Sequence, residues 1–156
     1  MAQVCLLGED EGSLRRELLS RETAREALST YDLREPYENT LALQTVSIGA
    51  AVALLNDLNW YVVRFVRDAL VQADSVSETE WLSRELATAI RNDEIPPGKT
   101  GEYLRLYGVE ENRLIDPIHV RRGDVTDVED DAGVPEREDS DELLVVRVTE
   151  SEFLAA

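Results

Sequence analysis

The sequence predicts an α+β fold, a two-layer domain with a mixed sheet of about four strands packed on helices. Three observations carry that expectation. Residues 4–7 (VCLL) form a continuous apolar run closed by Gly8, as a central strand does. Residues 40–72 are the longest apolar stretch, and 40–56 carry no charge in a chain that is 31% charged. Near the end, residues 114–122 and 143–149 alternate apolar and polar side chains, the period of half-buried strands. The order is then strand, helices, strand, three helices and two strands, which fits helices packed on one mixed sheet.

Each element follows from its residues. After the first strand, Ser13 is placed to cap a helix. Leu14, Leu18 and Leu19 share one face, Ala24, Ala27, Leu28 and Tyr31 another, and the phase slips at Ser20, so a kink or two short helices are expected there. Acidic Glu9, Asp10 and Glu11 precede that helix, where acids favour a helix N-terminus. Pro36 keeps residues 31–39 irregular. Residues 40–46 read as a strand, and Ser47 caps a buried central helix over 48–71, with Ile48, Val52, Leu55, Leu58, Val62, Val66 and Ala69 on one face. Ser77 and Glu80 have the spacing of a capping box, opening an amphipathic helix with Trp81, Leu82, Leu86, Ala89 and Ile90. Thr100 caps a further helix carrying Tyr103, Leu104 and Tyr107, which Gly108 ends. Pro117 gives the strand at 114–122 an edge position or a bulge. The last two strands are expected to pair with each other, and Thr149 with Glu152 to cap a final turn carrying Phe153 and Leu154.

Composition bounds the setting. At 156 residues one domain, 1–156, is expected. Cys5 is the sole cysteine, which fits a reducing cytoplasm, and the first twelve residues predict no signal peptide. The net charge is −17, and Lys99 is the only lysine beside fifteen arginines. Residues 123–142 hold ten acids and one base, so the remainder carries 23 acids and 15 bases, a net −8. This segment is expected to be an acidic mobile loop.

Several activities are excluded by motif. Zinc needs three or four Cys or His ligands, and only Cys5 and His119 are present. PPGKTG at 96–101 is no phosphate loop, because Asp93 stands where its first glycine belongs. The dinucleotide glycine fingerprint and the G-x-S-x-G elbow are absent. No cofactor, metal site or catalytic residue is predicted. Asn56, Asp57 and Asn59 interrupt the most apolar element, and with Trp60, Tyr61 and Arg64 they are candidates for a polar pocket or an interface. Trp81 joins Trp60 as a possible interface anchor. His119, Arg121 and Arg147 are expected to share a cationic, anion-binding face if the last two strands pair.

The run LLSRETAREALSTYDLREPYENTLALQTVSIGAAVALLNDLNWY resembles small acidic proteins of a haloarchaeal family of unknown function, and the resemblance extends from VCLLG to VVRVTESEF. It implies a salt-loaded host and a single-domain extent, and no residue roles. Two functions then fit: a non-enzymatic module that binds a protein partner or a second copy of itself, or a small-molecule sensing or enzymatic domain with a pocket around residues 56–64. A membrane span needs about 20 uninterrupted apolar residues, which Gln44, Asn56 and Asp57 break. Nucleic acid is disfavoured because molar salt suppresses phosphate contacts.

The charge makes stability salt-dependent. Carboxylates repel over about 30 Å at 0.01 M salt and about 3 Å at 1 M. Circular dichroism melts across that range are expected to show the midpoint falling as salt is withdrawn; a midpoint indifferent to salt contradicts the expectation.

Overall fold

Ala2–Gly8, strand β1, is apolar on both sides because both of its faces are covered. Val4 and Leu6 are buried with the helices, and Cys5 and Leu7 are buried in a second cluster on the opposite face. A strand covered on both sides loses the alternation of an exposed one. β1 pairs antiparallel with β2 (Thr40–Thr45) on one side and with β3 (Val66–Ala73) on the other. The structure, a computed structural model, describes residues 1–9, 12–124 and 142–156. Asp10, Glu11 and residues 125–141, most of the expected acidic loop, lie outside the described residues.

Among the described residues one sheet of seven strands runs β2-β1-β3-β4-β7-β5-β6, with β4 (Trp81–Ser83), β5 (Tyr103–Glu110), β6 (Arg113–Arg121) and β7 (Glu142–Val148) completing it. All pairs are antiparallel except β4 with β7. The described residues form six α-helices: α1 (Leu14–Leu19), α2 (Glu22–Leu28), α3 (Ile48–Asp57), α4 (Asn59–Phe65), α5 (Arg84–Arg91) and α6 (Glu150–Ala155). The mixed α+β class is as expected; seven strands replace about four.

Local chemistry explains most helix ends. Ser13 Oγ accepts from Arg16 N, Ser47 Oγ from Ala50 N, and Ser83 Oγ from Leu86 N. α1 and α2 are separate helices that divide at Ser20 and Arg21, where the apolar phase slips. Thr149 and Glu152 form a full capping box for α6. Leu55 is fully buried on α3, and the polar run at 56–59 is where α3 ends: Leu58 leaves helical geometry (φ −94°, ψ 8°) while Asn56, Asp57 and Asn59 are exposed.

The expected helix over 48–71 is therefore corrected to α3, α4 and strand β3. Val66 already has extended geometry (φ −108°, ψ 124°), and an apolar run does not itself distinguish a buried helix from a buried strand. Trp81 and Leu82 lie in β4, so the amphipathic helix begins only at Arg84. Residues 103–108 lie in β5, with Gly108 inside the strand; Tyr and Val favour a pleated surface, and long-range pairing overrides the local helix-stop signal. β5 also separates β6 from β7, so the last two strands do not pair with each other. Pro117 does sit on an edge strand, beside a register shift between Leu106 and Gly108.

Register fixes the faces. Leu82, Arg147, Leu104 and Val120 form one row across the sheet, and Trp81, Val146, Arg105 and His119 the next. Adjacent rows point to opposite faces. Arg147 is thus on the other face from His119 and Arg121.

Candidate functional site

Strand β4 is three residues long, yet it joins β1–β3 to β5–β7. Its pairing with β7 is the one parallel pair among the described strands, and a helix leaves the carboxyl end of each strand. α5 follows β4 and buries Leu86, Ala87 and Ile90 in the cluster on one sheet face; α6 follows β7, and Phe153 packs in the cluster on the other. Two adjacent parallel strands whose helices leave to opposite faces open a crevice at their carboxyl ends, the place where α/β sheets take ligands.

A cavity of about 1040 Å³ occupies that position. Leu86, Ala89, Ile95, Tyr103 and Val148 give it an apolar floor; Lys99, Thr100, Arg122, Glu94 and Glu150 give it polar walls. A second cavity of about 580 Å³ shares Ala89, Glu94 and Thr149 with it and reaches Asn56, Asp68, Arg84 and Glu152. Together they form one groove between α5 and α6.

Two charge networks stand on either side of the β4 joint. On one face Glu80, 7% exposed, offers a single carboxylate oxygen to Arg122 Nη2 at 2.6 Å and Arg147 Nε at 2.7 Å. Arg147 Nη1 also donates to Thr100 Oγ1 (3.0 Å), and Arg122 Nε to the Gly101 carbonyl (2.7 Å). Gly101 has φ +107°, and a Cβ there would lie 3.3 Å from Arg147 Nε, so glycine lets the backbone lie against both guanidiniums. Burial pushes the Glu80 carboxyl up, but the hydrogen bonds and charges of the two arginines outweigh it and hold the carboxyl below its ordinary 4.5.

On the other face Asp68 Oδ2 accepts from Arg105 Nη1 (2.7 Å) and Tyr107 Oη (2.6 Å). Arg105 Nε donates to His119 Nε2 (3.0 Å), and its Nη2 stands 3.5 Å from Glu152 Oε2. Glu152 Oε1 accepts from Ser83 Oγ (2.5 Å) and from Thr149 N (3.0 Å), tying α6 to β4 and to its own cap. Burial, with the Asp68 charge, raises the Tyr107 hydroxyl above its ordinary range, so it stays a donor. The same two causes raise the Cys5 thiol to about 12, which leaves it an inert thiol.

The residues singled out by sequence are dispersed. Asn56 lines the smaller cavity and accepts from Arg84 Nη2 (3.2 Å), whereas Arg64 lines a different cavity of about 180 Å³. Asp57 and Asn59 are exposed beside the helix break. Arg64 stacks on Trp60, 4.0 Å from the ring centroid, and Trp60 meets Tyr61 edge to face at 5.0 Å. Trp81 packs in the cluster of Cys5, Leu7 and Leu70. His119 belongs to the Asp68 network and Arg147 to the Glu80 network; Arg121 stands over Tyr103 at 5.3 Å. Sequence reasoning missed Asp68, Glu80, Ser83, Arg105 and Glu152 as a group. The available signal was a charge inside each apolar strand pattern, Asp68 before ALV and Arg105 between two leucines.

The geometry defines a mixed-sheet α+β domain with a crevice at its parallel strand pair. Residues 2–109 match the model of a family of unknown function, DUF5804, and the chain belongs to that family. The matched span includes α5 and Thr100 but ends in β5, so the β7–α6 wall lies beyond it. No curated protein and no solved structure matches the chain.

Glu80 makes a clear test. A carboxyl held low in the fold stabilises it above its ordinary 4.5, and that contribution disappears as the pH falls through the folded value. Glu80→Gln is expected to cost about 1–3 kcal/mol at neutral pH, since it leaves two partly buried guanidiniums without their counter-charge. Denaturant midpoints at neutral pH and below pH 4 are expected to show the difference from the native chain shrinking in acid. An equal difference at both pH values contradicts the network.

Proposed function

We propose that the chain is a small-molecule-binding domain whose ligand sits in the crevice between α5 and α6. The observation that carries this is the cavity of about 1040 Å³ at the carboxyl ends of the only parallel pair among the described strands. Its size lies at the upper end of ordinary ligand pockets, about 300–1,000 Å³, and its apolar floor with polar walls suits an organic molecule with both kinds of surface. Binding is favoured over catalysis because buried Glu80 and partly buried Asp68 and Arg105, the charges beside it, are all engaged by protein partners at 2.6–2.7 Å. One sheet running through both halves supports treating residues 1–156 as a single domain. The charge of −17, the arginine-for-lysine bias and the lone cysteine support work in a salt-loaded, reducing haloarchaeal cytoplasm. No described helix is long and apolar enough to cross a membrane.

A second function, docking of a protein partner or a second copy, is favoured by one observation. On α4, Trp60 is 48% and Val63 64% exposed, one turn apart. The sheet edges are poor routes to self-association: β2 is bridged by Arg34, and β6 carries Pro117.

Melting curves in molar potassium chloride against a panel of metabolites test the ligand site. A bound compound at about 100 times its Kd adds about 2.7 kcal/mol of stability. Ala89→Trp, which fills the crevice from α5, is expected to remove the upward shift that such a compound gives the native chain. Equal shifts in both proteins place the ligand elsewhere, and no shift with any compound class contradicts the proposal.

A further inference from the structure

His119 is the only histidine, and its bonding partner fixes its protonation state. Arginine never gives up its proton at accessible pH, so Arg105 Nε must be the donor in the 3.0 Å contact. His119 Nε2 must then carry the lone pair, and the ring is neutral with its proton on Nδ1. Adding a proton at Nε2 sets two N–H groups and two cations against each other at that distance.

Arg105 holds three groups at once. Nε holds His119 of β6, Nη1 holds Asp68 of β3, and Nη2 faces Glu152 of α6. Glu152 helps fasten α6, through Ser83 Oγ and its own cap, beside Phe153 packed against Tyr103. We propose that His119 is a proton-operated latch on α6: the neutral ring locks the Arg105 fork that faces Glu152, and protonation unlocks it and loosens the seat of the helix.

The surrounding groups agree with this direction. His119 faces Arg105 of β5, with the charges of Asp68 of β3 and Glu152 of α6 acting on it and Arg121 two residues on along its own strand. Burial and the Arg105 charge oppose protonation, and the weaker pull of Asp68 and Glu152 does not reverse them, so the ring titrates below its ordinary 6.5. The neutral ring therefore stabilises the fold above 6.5, and this is lost as the pH falls below that value and through the folded one. His119 is partly exposed on the edge strand, so the charged ring has a route to solvent that Arg105 lacks.

α6 is one wall of the crevice, so the latch regulates ligand access; that consequence rests on the proposed ligand site, whereas the latch itself is read without any ligand. Amide hydrogen exchange of the full chain in molar salt, corrected for intrinsic rates, is compared at about pH 7.5 and about pH 5. The α6 amides of the native chain are expected to lose protection roughly tenfold in acid, the factor set by one lost hydrogen bond, while β1 and β3 keep theirs. His119→Gln, whose carbonyl accepts from Arg105 without titrating, is expected to stay flat; His119→Lys, a fixed cation, is expected to be loose at both pH values. A native chain with constant α6 protection overturns the latch. So does His119→Gln losing as much as the native chain, which assigns the effect to Asp68 or Glu152, and so does His119→Lys being as protected as the native chain at neutral pH.

Discussion

The pairing of β4 across its two neighbours is the constraint on which the rest depends. Leu70 and Val71 of β3 face Ser83 and Leu82, and Val146 and Arg147 of β7 face Trp81 and Leu82. Two pairs on each side are a thin seam for a sheet of seven strands. Edge-to-edge backbone bonding of that length is marginal alone, since each hydrogen bond contributes only about 0.5–1.5 kcal/mol net. Side chains reinforce it on both faces. Glu80, one residue before the seam, draws in Arg147 from β7 and Arg122 from beyond β6. Asp68, just past the end of β4 on the β3 side, is reached by Arg105 and Tyr107 of β5 across two intervening strands.

The same shortness creates the crevice. Because β4 stops at Ser83, which then caps α5, the helix leaves the sheet early and to one side. β7 runs on to Val148 and turns into α6 on the other side. The space between is bounded by the ends of both charge networks, with Thr100 and Arg122 on one side and Asp68 and Glu152 on the other. Arg122 of one network and Asp68 and Glu152 of the other therefore also line the groove. Stability and the shape of the groove are coupled for that reason, and His119 stands at one end of the Arg105 fork.

Signals closed within a few residues were legible in the sequence. Ser13, Ser47 and Thr149 cap helices as their spacing requires, Ser20 marks the division of α1 from α2, and Pro117 marks an edge. Signals with distant partners were not. Val66–Ala73 is apolar enough to extend the preceding helix on paper, and only pairing with β1 makes it a strand. Ser77 does accept the backbone N–H groups of Thr79 and Glu80, but the Glu80 carboxylate turns away to arginines 42 and 67 residues along the chain, so the capping box opens a turn before β4 and no helix. The candidate site has the same character: Asp68 and Arg105 are 37 residues apart, Ser83 and Glu152 are 69. Strand register, which local pattern does not set, decides that Arg147 and His119 serve different networks.

Native-state hydrogen exchange on an Asp68→Asn, Glu80→Gln double variant tests the seam most directly. If the two networks weld the halves of the sheet, the amides of β5, β6 and β7 will exchange as a unit separate from those of β1, β2 and β3, at a distinctly lower opening free energy than in the native chain. If all the strands still open together in a single transition, the seam of β4 holds without the charges and the account is wrong.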